Sequence, residues 1–332
     1  CSSDLIKKKI PSNVNLIYWD YYSTDQQHYE NQIRSHRAIK ENIWFAGGLW
    51  MWSGFAPHNS YAITATTAAL AACRKHGVQD VFLTMWGDDG AECSKFAMLP
   101  SLYFAAEAAR GNKDMQSIKD GFRGMFGMDF DTYMLLDLPG TPNESPTWCP
   151  NADKYMLYND CLAGVMDTTV RADAAPGFAA CAEKLAAVGK TSEYGYLFET
   201  MQKLCELLAV KADIGKRTRS AYQQKDMAAI RALIDEYSRL TELTDAFYYA
   251  FRRQWMKENK PQGFDVQDIR IGALLLRLRH CRERLEDYAA GRISTIEELE
   301  GTPLDPFGRG TKYHEGPTQL NSWKQTATVN VI

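Results

Sequence analysis

The sequence holds no run of 18 apolar residues, so it offers no candidate for a membrane-spanning helix. It has no CxxC pair and no cysteine or histidine set at metal-ligand spacing, which leaves zinc and iron–sulfur chemistry without a signature. No glycine-rich phosphate loop is present, and the GDDG turn lacks the spacing of a calcium-binding loop. A dominant charge is missing too: 38 Lys and Arg stand against 41 Asp and Glu, a net charge of −3. That balance argues against a nucleic-acid partner and against an anionic membrane surface. We expect no cofactor and no metal. The eight cysteines (Cys1, Cys73, Cys93, Cys149, Cys161, Cys181, Cys205 and Cys281) include several in apolar helical contexts, such as Cys73 and Cys205. They read as buried thiols of a cytoplasmic protein rather than as disulfides.

Tryptophan is what the chain has in quantity. Of its eight Trp, Trp19, Trp44, Trp50, Trp52 and Trp86 fall in the first hundred residues. Three segments there read as a strand followed by a helix. Val14 to Tyr18 forms the first strand and ends in Trp19, Asp20, Tyr21 and Tyr22; Thr24 with Gln27 suggests a capping box for the next helix. Ile43 opens the second strand, which contains Gly47 and Gly48 and runs on to Trp50, Trp52 and Phe55. AITATTAALAACRKHG follows as a helix that stops at Gly77. Phe82, Leu83 and Met85 suit a buried third strand, ending in Trp86-Gly87-Asp88-Asp89-Gly90; a further helix follows with Pro100 as a kink or restart. Strand spacings of about 30 to 40 residues are those of a (β/α) barrel.

In parallel α/β folds ligands bind at the carboxyl ends of strands, and here all three ends carry aromatics and two carry carboxylates. Pyranose rings pack their C–H faces on aromatic rings while their hydroxyls seek carboxylates. The plainer reading is a set of rim plugs with an Asp capping the next helix. Repetition at three ends favours a carbohydrate pocket. Trp44, early in its strand, reads as structural.

The blocks YWDYYSTD, FAGGLWMWSGFAP and TMWGDDGAE resemble the last strands of the catalytic barrel of family 20 glycoside hydrolases. They are similar in particular to the bacterial β-N-acetylhexosaminidase branch with a helical domain after the barrel. The resemblance is dense over residues 14–105, collinear but weaker beyond, and returns in NSWKQTATVNVI. It implies the last strands and helices of a (β/α)8 TIM barrel over residues 1–140, then an α-helical domain with a C-terminal tail over 141–332. It also implies exo-hydrolysis of terminal β-linked N-acetylglucosamine or N-acetylgalactosamine with retention, the substrate's own acetamido oxygen acting as nucleophile. Carried onto this sequence, Trp86 stacks under the sugar and Asp88 binds its outer hydroxyls. Tyr21, with Tyr22 as the adjacent alternative, bonds the acetamido oxygen. Trp52 and Trp50 wall the pocket, and Trp19 and Asp20 are further candidates.

One part of the family pattern has no counterpart. The catalytic Asp-Glu pair belongs on a strand before YWDYY, where this sequence has CSSDLIKKKIPSN. The Asp235-Glu236 dipeptide lies in a strongly helical stretch and reads as solvated surface. The pair is therefore expected upstream, on a longer polypeptide of which this is the C-terminal portion. Reading Cys1 as a processed lipoprotein terminus is the weaker alternative. The rival function is a non-catalytic sugar-binding or partner-dependent fragment.

From about residue 150 the pattern is helical, with apolar stripes at Leu197, Met201, Leu204 and Leu208; at Ile230, Leu233, Tyr237, Leu240 and Phe247; and at Ile271, Leu274, Leu278 and Leu285. KADIGKRTR and LRLRHCRER read as solvated faces or partners for nearby acids. FYYAFRRQWM aligns Phe247, Phe251 and Trp255 on one face beside Arg252 and Arg253, a composition of protein interfaces. Either this helix faces inward and packs on the barrel, or it builds a homodimer after residue 190 that carries the Arg309, Tyr313 and His314 loop to a partner's pocket.

Overall fold

The computed structural model describes residues 10–11, 13–142, 151–189, 192–303, 319–320 and 322–328. The Arg309–His314 loop lies outside them. The chain divides into two compact units. The first comprises the residues up to Met51, His58–Trp86 and Lys95–Met134; the second comprises Trp52–Pro57, Gly87–Ser94 and the chain from Leu135 on.

The first unit is built on three parallel strands, β1 (Leu16–Trp19), β2 (Ile43–Gly48) and β3 (Val81–Thr84), in the order β1-β2-β3. Helices α1 (Gln26–Arg37) and α2 (Asn59–Lys75) make the two crossovers. Side chains alternate across the sheet, and register places Tyr18 opposite Phe45 and Phe45 opposite Val81. Tyr18, Ile43 and Phe45 pack with Tyr29 and Ile33 of α1 and with Ala69, Ala72 and Cys73 of α2. A side chain at Gly47 would collide with Leu83, so glycine lets β2 and β3 close on this face.

The other face is open. Ile17, Trp19, Trp44 and Phe82 are all exposed there, and β1 and β3 each keep one unpaired edge among the described residues. The third strand is thus not the buried strand its composition suggests, because no layer covers the Phe82 side in these residues, and Met85, just past the strand's end, is exposed as well. The first strand starts at Leu16 rather than Val14.

Asp25, not Thr24, caps α1: its carboxylate accepts from Gln27 N–H at 2.9 Å, so the Thr24–Gln27 box does not form. Helix α2 ends where Gly77 turns left-handed at φ +65°. Pro100 lies in the first turn of α3 (Leu99–Ala109), where its missing N–H costs nothing, so it restarts the helix. Helices α4 (Met115–Phe126) and α5 (Phe130–Tyr133) complete this unit, with Ile118 packed on Leu70, Phe104 and Ala108.

The second unit is helical: α6 (Ala152–Tyr158), α7 (Ala174–Ala187), α8 (Gly195–Gln224), α9 (Met227–Glu258), α10 (Phe264–Ala289), α11 (Glu297–Glu300) and α12 (Trp323–Ala327). Helices α7 to α10 pack each on the next. All three apolar stripes read from the sequence are buried in this stack.

One expectation fails here and another holds only in part, since Arg217 pairs with Asp213 and Glu236, and Arg277 with Asp160, as partners of nearby acids. Phe247, Phe251 and Trp255 do not form an outer face. Phe55 meets Phe247 and Phe251 at 5.3 and 5.4 Å, and Phe264 lies 5.7 Å from both Phe251 and Trp255. Rings at i, i+4 and i+8 make one stripe, and here the core takes it. Lys211 and Arg219 are not solvated either. Lys211 donates to the carbonyls of Met156 and Asn159, and Arg219 to those of Leu162, Leu299 and Gly301. Both satisfy carbonyls that their segments leave unpaired.

The six described cysteines are buried and unbridged. Among the described residues no helix is long and apolar enough to cross a membrane.

Candidate functional site

The three strands end side by side, and the chain after each holds the predicted site residues. Those of the first unit form a ring cluster. Trp19 and Trp86 lie 5.8 Å apart at the ends of β1 and β3, both exposed. Trp19 meets Tyr21 edge-on at 5.9 Å; Tyr21 in turn meets Trp50 at 5.7 Å and Tyr22 at 4.6 Å. Trp50 is buried, stands edge-on to Tyr61, and donates its indole N–H to the Tyr21 carbonyl at 3.1 Å. Tyr21 is only 5% exposed and Tyr22 63%, so the pair divides into an inner and an outer ring.

Asp20 turns the other way. Its carboxylate accepts from Tyr18 Oη at 2.7 Å and from Tyr22 N–H at 3.0 Å, and contacts His28 Nε2 at 2.6 Å. Burial pushes this carboxyl up, but the bonds from Tyr22, Tyr18 and His28 together outweigh it and hold the pKa below its ordinary value. Asp20 thus fixes the Trp19–Tyr22 segment from within its own unit.

The loops after β2 and β3 cross into the second unit at Trp52 and at Gly87. Strand β2 stops at Gly48, so Trp50 and Trp52 share no strand face: Trp50 packs in the first unit, and Trp52 is buried in the second. Its segment is held by α6 and the residue before it. Asn151 donates its side-chain N–H to Ser53 O at 2.6 Å, and Asp153 Oδ2 accepts from the N–H groups of Phe55 and Ala56 at 2.6 and 2.7 Å. A Cβ at Gly54 would strike the Asp153 carboxylate, so this approach requires glycine. Full burial outweighs both hydrogen bonds and pushes Asp153 up to about 6.

The GDDG segment is a single turn whose two acids play opposite parts. Asp88 is exposed and has no hydrogen-bond or ion-pair partner among the described residues. Asp89 is saturated. Arg270 Nη2 reaches its Oδ1 at 3.1 Å, Trp323 N–H donates to its Oδ2 at 2.6 Å, and Lys154 Nζ stands 3.3 Å from Oδ2. Lys154, fully buried, pairs with Glu92 Oε2 at 2.6 Å, and Arg270 Nη1 with Glu92 Oε1 at 2.8 Å. Burial pushes the Glu92 carboxyl above its ordinary value, while Lys154 and Arg270 pull it back. Two cations thus bracket two carboxylates.

The lock holds a strained backbone, with Asp89 at φ 48° and Ala91 at φ 49°. Left-handed non-glycine residues cost about 1–3 kcal/mol each and persist where surroundings over-determine them. Asn151, Asp153, Lys154, Glu92 and Arg270 were not foreseen as site residues. Their one signal in sequence is a charged pair, Asp153-Lys154, inside the apolar run ADKYMLY. Among the described residues no group of three His, Cys, Asp or Glu side chains is placed to hold a metal ion.

Compared with known protein families, residues 131–315 match the model described as the Glycoside Hydrolase 20C C-terminal domain, more than half of the chain. No curated protein matches the chain.

Proposed function

The chain belongs to the glycoside hydrolase 20C C-terminal domain family, and on that premise we propose that it serves an exo-β-N-acetylhexosaminidase acting by substrate-assisted retention. The match covers the helical part, so the reading of residues 14–105 rests on their own geometry and resemblance. One observation carries it: an exposed Trp19–Trp86 pair at the carboxyl ends of parallel strands, two residues before Asp88, which has no partner among the described residues. In this reading Trp86 supports the sugar ring and Asp88 takes its outer hydroxyls in charge-assisted bonds. Tyr21 donates to the acetamido oxygen; Trp52, Trp50, Trp19 and Tyr22 shape the surroundings, and Asp20 braces Tyr22.

The (β/α)8 architecture belongs to the same proposal. An open apolar sheet face with two free parallel edges supports it, since such a face calls for further strands. The acid/base Glu and its Asp are assigned outside these residues, because Asp235-Glu236 lies on α9 with Glu236 held by Arg217 at 2.7 and 2.8 Å. That same fact favours the second reading, binding of N-acetylhexosamine glycans without hydrolysis by this chain alone. A homodimer, if formed through the helices, would use the exposed Val266, Ile269 and Leu276 of α10.

The test is hydrolysis of a chromogenic N-acetyl-β-glucosaminide by the intact enzyme. Trp86→Ala lowers kcat/KM by about tenfold or more, the scale of 1–3 kcal/mol of lost contact. Tyr21→Phe lowers kcat, whereas Tyr22→Phe spares it. Full activity in Trp86→Ala contradicts the assignment.

A further inference from the structure

The second unit brings four elements together at one thiol. Cys161 lies in the segment after α6, and Arg277 of α10 holds the residue before it, Asp160, at 2.6 Å. Cys281 stands one helical turn beyond Arg277, so the two thiols meet in a hydrogen bond. Helix α8 closes the site from another side: a Cβ at Gly215 would come within 3.1 Å of the Cys161 carbonyl, so glycine permits the approach. From α9, Tyr237 donates to the Cys161 sulfur, while its hydroxyl meets that of Thr218 at 3.0 Å. Lys211 is buried nearby, bonded to the Asn159 carbonyl at 2.6 Å.

These surroundings favour a thiolate at Cys161. The bond from Cys281, the Lys211 charge and the Tyr237 hydroxyl outweigh burial and the Asp160 charge, and bring this thiol down to about 7. The same bond, together with burial, pushes Cys281 well above its ordinary value, so Cys281 keeps its proton and is the donor. The other buried thiols differ. Burial pushes Cys73 up to about 12 and Cys93 well above the ordinary value. Cys181 and Cys205 form a second hydrogen-bonded pair, but the Cys181 sulfur rests on the carbonyls of Leu138 and Pro142 at 3.9 and 3.8 Å, which suit a protonated thiol. Cys161 also lines a cavity of about 520 Å³ together with Leu274, Arg277 and Leu278. Hydrogen peroxide, little larger than water, is far smaller than that space.

We propose that Cys161 and Cys281 form a peroxide-reactive dithiol, in which Cys161 is oxidised first and Cys281 resolves it to a disulfide. The Cys161 thiolate attacks one oxygen of hydrogen peroxide. An S–O bond forms, the O–O bond breaks, and the departing hydroxide takes up the proton that Cys161 had released. Cys281 then attacks the Cys161 sulfur: the S–S bond forms, the S–O bond breaks, and the oxygen leaves as water with the Cys281 proton. Two electrons and two protons pass from the thiols to the peroxide, which ends as two waters. The cross-link ties the segment after α6 to α10, and added thiol reverses it. This chemistry is independent of any sugar bound at the strand ends.

The test treats the intact, fully reduced protein with hydrogen peroxide and maps its cysteine peptides by mass without reduction. The expected product has lost two hydrogens, joins Cys161 to Cys281, and disappears with dithiothreitol. It should form roughly tenfold or more faster than any oxidation of Cys73 or Cys93, whose thiols stay protonated. In Cys281→Ser the same dose should leave a sulfenic acid at Cys161 that dimedone traps. In Cys161→Ser, Cys281 should stay reduced. Absence of the Cys161–Cys281 link, a link of either residue to a different cysteine, oxidation of Cys161 no faster than that of Cys73, or oxidation of Cys281 in Cys161→Ser would each overturn the proposal. The first three are read on the parent protein, so they decide the matter even where a variant fails to fold.

Discussion

The segment after β1 and the segments after β2 and β3 carry the same kinds of side chain but are held in different ways. Trp19 to Tyr22 is fixed from within its own unit, by Asp20 bonding Tyr18, His28 and the Tyr22 N–H and by Tyr21 packing on Trp50. The Trp52 and Asp88 segments are fixed by residues distant in sequence: Asn151 and Asp153 for one, Lys154, Arg270 and Trp323 for the other. The first segment needs only its neighbours. The other two belong to the helical unit and are held by its residues.

The largest effect should come from breaking the buried ion cluster. Lys154→Met takes from Glu92 and Asp89 one of the two cations that bracket them and leaves them Arg270, and removal of one partner from a buried pair costs about 3–5 kcal/mol. Chemical denaturation measures it. A loss below about 1 kcal/mol would place the lock among ordinary surface pairs and dissolve the contrast between the segments.

Asp153 sharpens the comparison through pH. Its folded pKa of about 6 exceeds the ordinary 3.8, so the native state binds the extra proton and loses stability as pH rises from about 4 to about 6. Asp153→Asn removes that titration. The melting temperature of Asp153→Asn minus that of the parent should therefore grow across this window and level off above about pH 7. A flat difference would mean that Asp153 ionises freely. By contrast, the hydrogen bonds to Asp20 hold its pKa below the ordinary value. Its stabilising contribution is present above the ordinary carboxylate range and is lost as pH falls. Asp20→Asn should cost about 1–2 kcal/mol at neutral pH and less in acid, measured by melting at both.

Much of this was legible in the sequence. Short apolar runs bounded by turn residues, the Gly77 stop and the three helical stripes placed the strands and the long helices, because those signals report local conformation and burial. Which side was covered was not legible. Phe82 looks buried by composition and is exposed; Phe247, Phe251 and Trp255 look like an interface and are core. Periodicity shows that a face is apolar but not what lies against it. The site was half legible for the same reason. The aromatic strand ends show themselves as a repeated pattern, whereas the lock on Asp89 joins residues roughly 65 and 180 positions apart in the chain, a pairing that spacing cannot encode.

The adjacent acids of GDDG give the sharpest test, since sequence alone treats them as equals. Thermal stability and kcat/KM on a chromogenic N-acetyl-β-glucosaminide would be measured for Asp88→Asn and Asp89→Asn of the intact protein. Asp88→Asn should leave stability within about 0.5 kcal/mol, as expected for an exposed and unpartnered side chain, while kcat/KM falls about tenfold or more. Asp89→Asn should lose about 1–3 kcal/mol of stability by weakening the contacts of Lys154, Arg270 and the Trp323 N–H. Full activity in Asp88→Asn, or an Asp89→Asn protein as stable as its parent, would contradict the division of the loop into a sugar-binding acid and an anchoring one.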